Sequence, residues 1–345
     1  MIKIKKKIKE RLRKFILRVM RPFTKKLDLV DRRTRLISTR ESERRGRFVN
    51  DIRFNMSVSS DIDIETKRIM VAQMSYGKTG HYPDILHPKL FSEKVLWYKL
   101  YYDDPRISIC ADKYRAKEYI DEVLGAGHTV PLIRKYDEVH DIDLDELPDR
   151  FVLKVNWCTG CNIVVKDKST VNIDKIRAQL DFWRLPWRTS YYGSFNKGYE
   201  SIEPVIFAEE YVDIENNSTE YKLFCFNGKL EFVLVELDYF GSSPKRAYYD
   251  RQWSELPLSI SGIQKTSLEE KPATFDEMVE LAEKLAEPFP YVRVDFYDIE
   301  GSLFVGEMTF YSGGGFSTID PPEWDGILGE RFDLSDAMKK MNWNR

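Results

Sequence analysis

The stretch VRVDFYDIEGSLFVGEMTF, residues 292–310, constrains the fold of this chain more than any other. It reads as a β-hairpin. The first arm alternates Val292, Val294 and Phe296 against Arg293, Asp295 and Tyr297. The second arm sets Glu307 and Thr309 on one side and Phe304, Met308 and Phe310 on the other, with Asp-Ile-Glu-Gly as the turn. An arginine and two carboxylates on the polar face of so apolar a hairpin call for a reason. A divalent ion serving phosphates takes oxygen ligands, commonly one or two carboxylates plus phosphate oxygens. Asp295 and Glu307 could supply the carboxylates, and Arg293 could neutralise a transferring phosphoryl group. The plain alternative is a surface salt bridge beside a glycine-rich turn. YSGGGF follows at once, a flexible loop whose exposed N–H groups could cradle an anion.

A second charged strand lies upstream, in FVLKVNWCTGCNIVVKD. Lys154 interrupts an apolar run, and an unpaired buried charge is costly, so it needs an anion such as a phosphate. Otherwise it faces solvent on an edge hairpin. Cys158 and Cys161 form C-x-x-C, but zinc needs two further ligands, and no paired spacing appears among the other cysteines and the histidines. A redox pair would want a helix N-terminus, whereas this motif joins two strands, so both cysteines read as loop residues.

Elsewhere the pattern is α+β. Residues 51–125 read as mainly helical. FSEKVLWYKLYYDD starts at a Ser92 cap, and CADKYRAKEYIDEVLG runs as one helix to Gly125. Strands dominate from 130, and Thr274 with Glu277 forms a capping box for FDEMVELAEKLAE, which Pro288 stops. The 345 residues, 42% hydrophobic, can bury a core split over two or three lobes. Four cysteines with no disulfide framework suit a reducing cytoplasm, and no apolar run is long enough to span a membrane.

Charge is uneven. Residues 1–50 hold 19 of the 54 Lys and Arg but 5 of the 56 Asp and Glu, about +14, against about −16 for the rest. So acidic a body is a poor nucleic-acid binder. Ile4, Ile8, Leu12, Phe15 and Val19 recur at helical spacing among the basic residues. Such a helix can lie on an anionic membrane, or be a solvated tail or a docking helix for the acidic body.

Taken in order, ADKY, FVLKVNWCTGCNIVV, FAEEYV, TEYKLFCFNGK and VRVDFY…GEMTFYSGGGF resemble the TupA-like ATP-grasp family, named for teichuronopeptide biosynthesis, from about residue 90 to 330. The resemblance implies an α+β ATP-grasp fold in which two lobes with antiparallel sheets hold the nucleotide. The chain then divides into a basic segment (1–50), a helical region (51–125) and the nucleotide-binding lobes (126–335). Lys113 and Lys154 would be the paired lysines that hold the phosphates of ATP, next to the loop containing Thr159 and Gly160. Glu209, Glu210, Tyr211 and Val212 would be the hinge strand at the adenine edge. Glu220 would meet the ribose and Lys222 the phosphates; Asp295, Glu307 and Thr309 would bind Mg2+, with Arg293 beside the γ-phosphate.

This chain departs from the family pattern twice. The loop after Lys154 is Trp-Cys-Thr-Gly where related sequences approach His-Gly-Ser-Gly, and Thr309 stands where an asparagine usually follows the second metal carboxylate. The activity implied is a carboxylate–amine ligase working through an acyl-phosphate and attaching an amino acid or similar amine to a cell-surface polysaccharide or its precursor. The alternatives are a phosphotransferase on a sugar or amino acid and a non-catalytic assembly module. The expected location is cytoplasmic, at the inner face of the membrane if residues 1–26 touch it. Trp183, Trp187, Tyr191 and Tyr192 could stack on a sugar or pack within a lobe.

Overall fold

The computed structural model describes residues 62–184, 195–200, 202–213, 219–237, 245–262, 265–267 and 270–343. The basic segment 1–50, with its amphipathic stripe, lies outside the described residues, as do Trp187, Tyr191 and Tyr192.

Four helices come first: α1 (Ile64–Thr79), α2 (Phe91–Tyr101), α3 (Pro105–Ala111) and α4 (Ala116–Leu124). A four-stranded antiparallel sheet follows, in the order β1-β4-β2-β3, from β1 (Leu132–Tyr136), β2 (Phe151–Val155), β3 (Asn162–Val165) and β4 (Ile206–Glu210). Helix α5 (Ile173–Trp183) lies between β3 and β4 in the chain. The second sheet has five antiparallel strands in the order β10-β9-β5-β6-β7. They are β5 (Glu220–Phe226), β6 (Lys229–Leu237), β7 (Lys245–Tyr249), β9 (Tyr291–Ile299) and β10 (Ser302–Thr309). A two-stranded ribbon pairs β8 (Ser259–Ile260) with β11 (Ile319–Asp320). Helix α6 (Phe275–Ala286) precedes β9, and α7 (Glu323–Arg331) and α8 (Ser335–Lys340) close the described chain.

The expected α+β order with two antiparallel sheets is therefore present. Helix α2 docks on the large sheet through aromatic rings. Phe91 stacks on Phe226 at 5.3 Å and meets Tyr291 edge-on at 5.6 Å, and Phe332 lies within 6.2 Å of Phe91. Such pairs add to burial because ring edges and faces attract.

Several local expectations change. Ser92 does not cap α2: the N-cap is Leu90, two residues earlier, and the Ser92 N–H and hydroxyl both donate to Asp325 of α7. Glu93 takes the capping work, its carboxylate accepting from the N–H groups of Asp84, Lys89 and Leu90. The segment 110–125 is not one helix. Asp112 ends α3, and its side chain accepts from the N–H groups of Tyr114 and Arg115 ahead of α4. A side-chain acceptor offers the backbone an alternative to the helical ladder, and the chain takes it here. Thr274 forms no capping box, because its hydroxyl is turned onto Asp298 instead.

The hairpin forms as expected, closed by Glu300 (φ 52°) and Gly301 (φ 84°), a two-residue loop with both residues left-handed. Its second arm carries a bulge. Val305 pairs with Phe296, then Glu307 with Asp295, leaving Gly306 unpaired. Phe304 accordingly lies across from Tyr297, not on the Met308 side. A Cβ at Gly306 would meet the Tyr297 ring at 2.5 Å, so only glycine fits the bulge without displacing that ring.

Candidate functional site

The large sheet gathers the charges. Lys222 pairs with Asp295 across β5 and β9, and Asp295 with Glu307 across β9 and β10. Glu220 pairs with Glu236, and Glu236 with Arg246, across β5, β6 and β7. Because side chains alternate along a strand, cross-strand partners share a face, and these residues form one band across all five strands.

Within the band every charge is met. Arg293 grips Asp295 with two hydrogen bonds, 2.6 and 2.5 Å, and reaches Thr309 Oγ1 at 3.1 Å. Lys222 Nζ lies 2.8 Å from Glu220 and 2.6 Å from Glu236, and Arg246 is 2.6 Å from the other Glu236 oxygen. Lys113 comes in from the α3–α4 connection, 3.0 Å from Glu307 Oε1. Asp295 is only 1% exposed, and burial pushes its carboxyl up to about 6 against the pull of Arg293 and Lys222. For Glu307 burial acts the same way, but Lys113 and Arg293 outweigh it and hold its pKa below the ordinary value.

A second centre sits on the small sheet. Glu209 of β4 is 3% exposed, and Lys154 of β2 and Lys117 of α4 both close on it, at 2.5 and 2.6 Å. Burial works to raise the Glu209 pKa, but the two lysines prevail and keep it lowered. The strand that bears Lys154 is tied to the ADKY segment. Asn156 donates to Asp112 Oδ2 at 2.9 Å and to the Glu203 carbonyl at 2.8 Å, and accepts from the Val205 N–H.

The structure therefore brings Arg293, Asp295, Glu307, Thr309, Lys222, Glu220 and Lys113 together on one sheet, and Lys154 and Glu209 on the other. The lysine beside Lys154 is Lys117, whereas Lys113 is at Glu307. Glu210 is exposed and its N–H donates to the Pro131 carbonyl; the Tyr211 ring lies under Arg150 and its hydroxyl donates to Asp213; Val212 is half-buried.

Thr159 and Gly160 are exposed at the tip of the loop between β2 and β3. That loop corrects one expectation: Cys158 and Cys161 are joined as a disulfide, and Cys110 and Cys225 are the free, buried cysteines. The turn through Gly160, at φ +69°, brings the two Cα atoms to 5.9 Å, within disulfide range. Trp183 is buried, and its carbonyl accepts from the Trp157 indole, the packing reading of that ring.

The YSGGGF loop is more closed than expected. Gly313, Gly314 and Gly315 are all left-handed, with φ of 58°, 66° and 75°. The N–H groups of Gly314 and Phe316 bond within the loop, to the carbonyls of Tyr311 and Gly313. Gly315 is pressed on α2, where a Cβ would meet Leu96 at 2.6 Å. Between this loop and the charged band lies a cavity of about 220 Å³, lined by Lys222, Arg246, Arg293, Ser312, Gly313 and Ser317 among others.

Lys117, Glu236, Arg246, Asp112 and Asn156 were not singled out by sequence reasoning. Glu236 left a trace, a lone carboxylate closing the apolar run FVLVEL. Asp112 and Asn156 lie inside the ADKY and FVLKVN motifs, Lys117 and Arg246 in ordinary polar contexts, and only their partners mark them.

The donor set suits Mg2+. Asp295, Glu307 and Thr309 offer oxygens only, and the two carboxylates are direct cross-strand partners. Their counter-ions Arg293 and Lys113 keep negative charge on this band without a metal. The same cations, with Lys222, would face the phosphates that accompany the ion.

A family model described as TupA-like ATPgrasp matches residues 93–333, more than half of the chain. No curated protein matches. Solved structures similar to the chain include D-alanine–D-alanine ligase from Bacillus anthracis, at 19% identity and a TM-score of 0.39 over 68% of each chain. Another is D-alanine–D-alanine ligase from Helicobacter pylori, at 17% and 0.35 over 60% of this chain and 53% of that one. A third is N5-carboxyaminoimidazole ribonucleotide synthetase from Thermus thermophilus, at 15% and 0.32 over 59% and 45%. These likenesses are too distant to carry an argument, and the family match stands alone.

Proposed function

This chain belongs to the TupA-like ATP-grasp family, and from that premise we propose that it attaches an amino acid or similar amine to a carboxylate of a cell-surface polysaccharide or its precursor. ATP-grasp ligase chemistry joins carboxylate to amine through an acyl-phosphate at the expense of Mg-ATP, and this is the chemistry of the family. The identity of the acceptor, and the residues in their roles, are our reading.

The observation that carries it is the band on the large sheet, where Asp295, Glu307 and Thr309 stand beside Arg293 and Lys222. Asp295, Glu307 and Thr309 would hold Mg2+, which supplies charge neutralisation for the transferring phosphoryl. Arg293 presents positive charge where that phosphoryl gains negative charge, and its bond to Asp295 fixes its orientation beforehand. Lys154 and Lys117, released from Glu209, would take the remaining phosphates, and Glu220 the ribose. The hinge strand from Glu209 to Val212 would face the adenine, with the backbone of Tyr211 and Val212, past the end of β4, as the recognising group. The cavity between the band and the glycine loop is the place for the acceptor carboxylate, next to Arg293 and Lys222.

Among the described residues no helix is long and apolar enough to cross a membrane. Our reading of the basic segment, outside those residues, is peripheral contact with an anionic membrane surface, which would keep the enzyme near a lipid-linked acceptor. Co-sedimentation with anionic vesicles, weakened by salt and lost on deleting residues 1–26, tests that part.

Incubation of the protein with Mg-ATP, a polysaccharide acceptor and a pool of amino acids tests the activity, followed by mass spectrometry of the acceptor. Amine-dependent release of ADP and inorganic phosphate, with an acceptor heavier by one amide-linked residue, is the expected result. ADP release with a phosphorylated product and no amine requirement would make the protein a phosphotransferase instead.

A further inference from the structure

Lys99 on α2 is a buried amino group that meets no carboxylate among the described residues. It is 0% exposed, and its Nζ donates to the Gly314 carbonyl at 2.7 Å while lying 4.1 Å from the centre of the Phe316 ring. Keeping a buried ammonium charged with no carboxylate beside it is expensive. The charged neighbour that acts on it is another cation, Lys78 of α1, itself 4.8 Å from the centre of the same ring. Helix α7 also packs on α2, but its Asp325 is bonded to Ser92, about two turns away. The loop itself, Ser312 to Phe316, contributes no titratable side chain.

What Lys99 touches is the glycine loop, at the middle of three successive left-handed residues. Three glycines in a row have much conformational freedom to lose, and something must hold them in one shape. The flanking glycines, Gly313 and Gly315, line the cavity beside Arg293 and Lys222. We propose that Lys99 is a positioning residue: its amino group anchors the Gly314 carbonyl and the Phe316 ring to α2, and so sets the wall of that cavity. The bearing of this anchor on catalysis rests on reading the cavity as the acceptor site; the anchor itself does not.

The carbonyl and the ring face both attract the charged form of Lys99. Burial, with Lys78 adding to it, outweighs them and pulls the pKa down to about 7. Opening the loop would admit water to the amino group and return its pKa toward the ordinary lysine value. The closed loop therefore binds the proton more weakly than the open one. Closure tightens as pH rises above about 7, where Lys99 donates to Gly314 as a neutral amine, and is weakest, with the full penalty present, below that value.

Hydrogen exchange of the full-length protein, read by mass spectrometry at pH 6 and pH 8.5 and corrected for the intrinsic rate, tests this without any substrate. Protection of the segment around residues 311–317 should be roughly 30-fold lower at pH 6 than at pH 8.5 in the native protein, the effect of the ~1.5 pH units between the closed-loop pKa of about 7 and the higher pH. Lys99→Met should show no such pH dependence, and its protection at pH 8.5 should fall below the native value because Gly314 loses its donor. Lys99→Arg, charged throughout, should be poorly protected at both pH values. Strand β9 serves as the internal reference. Protection retained at the native level in Lys99→Met would overturn the proposal; a fall in that variant supports the anchor, whether or not native protection varies with pH. Because nothing here requires turnover, failure of the ligase reading would leave this result standing, and the reverse.

Discussion

On the small sheet two lysines, Lys117 and Lys154, share one buried carboxylate, Glu209. On the large sheet Lys113, Lys222, Arg246 and Arg293 meet Glu220, Glu236, Asp295 and Glu307, charge for charge. The first centre holds a surplus cation and can take up an anion simply by releasing Glu209. The second is balanced, so a visitor enters it by exchange, as a metal ion and phosphate together would. Surplus favours capture, whereas balance favours orientation, and in our proposal the two sheets divide those tasks.

The contrast breaks most sharply at Asp295. Asp295→Asn should abolish Mg-dependent ATP turnover and lower the unfolding free energy by about 3–5 kcal/mol, because Arg293 loses its buried counter-charge. Chemical denaturation measures this, and a change of only a few tenths would show that the pair is not a buried unit. Glu307→Gln should remove turnover with a smaller stability loss, since its side chain is 23% exposed. Replacing both Arg293 and Asp295 with apolar residues should recover stability without activity.

At the surplus centre the expected loss is in affinity. Lys154→Ala and Lys117→Ala should each weaken ATP binding by roughly 10–100-fold, one charge-assisted contact apiece, read by calorimetry. Equal losses would mean that the lysines act as a pair; an unchanged Lys117→Ala would leave phosphate capture to Lys154 and Lys113.

Lys99 carries the comparison to its limit, a buried amino group with no carboxylate beside it among the described residues. With a pKa pulled down to about 7 from 10.5, the folded chain binds fewer protons than the unfolded chain between those values. Stability then rises with pH across that window, and the penalty is fully present below it. Lys99→Met lacks this dependence, so its stability relative to the native protein should fall by about 2 kcal/mol from pH 7 to pH 9. A difference that is constant with pH would mean that Lys99 does not titrate there.

The smallest effect concerns how the balanced band is assembled. Gly306→Ala should cost about 1–2 kcal/mol in thermal or chemical unfolding as the Tyr297 ring gives way to the new methyl. It should also reduce turnover by moving Glu307 off Asp295. Native activity in that variant would show that the bulge tolerates a Cβ.

The hairpin, the alternation of its first arm and the two-sheet α+β order were legible because they depend on neighbours in the chain. Val292, Val294 and Phe296 are buried and Arg293 and Asp295 face the other way whatever lies beyond them. Expectations that rested on one local pattern fared less well where a distant group competed. Ser92 went to Asp325 and Thr274 to Asp298, and neither acceptor is near in sequence. Asp112 broke a promising helix by capping the next one and meeting Asn156. The Cys158–Cys161 bridge depended on the turn geometry at Gly160, which spacing alone does not specify.

What the sequence by itself determined is which faces are apolar and which carry charge, since a strand alternates with period two and the pattern is written in adjacent residues. It also determined the order of motifs by which the family is known. The tertiary structure alone decided which charges meet. Lys222 and Asp295 are separated by the whole of β6, β7 and α6, and become neighbours through strand register. Glu307 joins them only because one unpaired glycine turns it onto their face. Lys117 rather than Lys113 stands with Lys154 because the helix breaks at Asp112, leaving Lys113 in the connection and Lys117 on α4. An ion pair forms by closeness in space, and that closeness arises only when the strands and helices bearing its partners pack together.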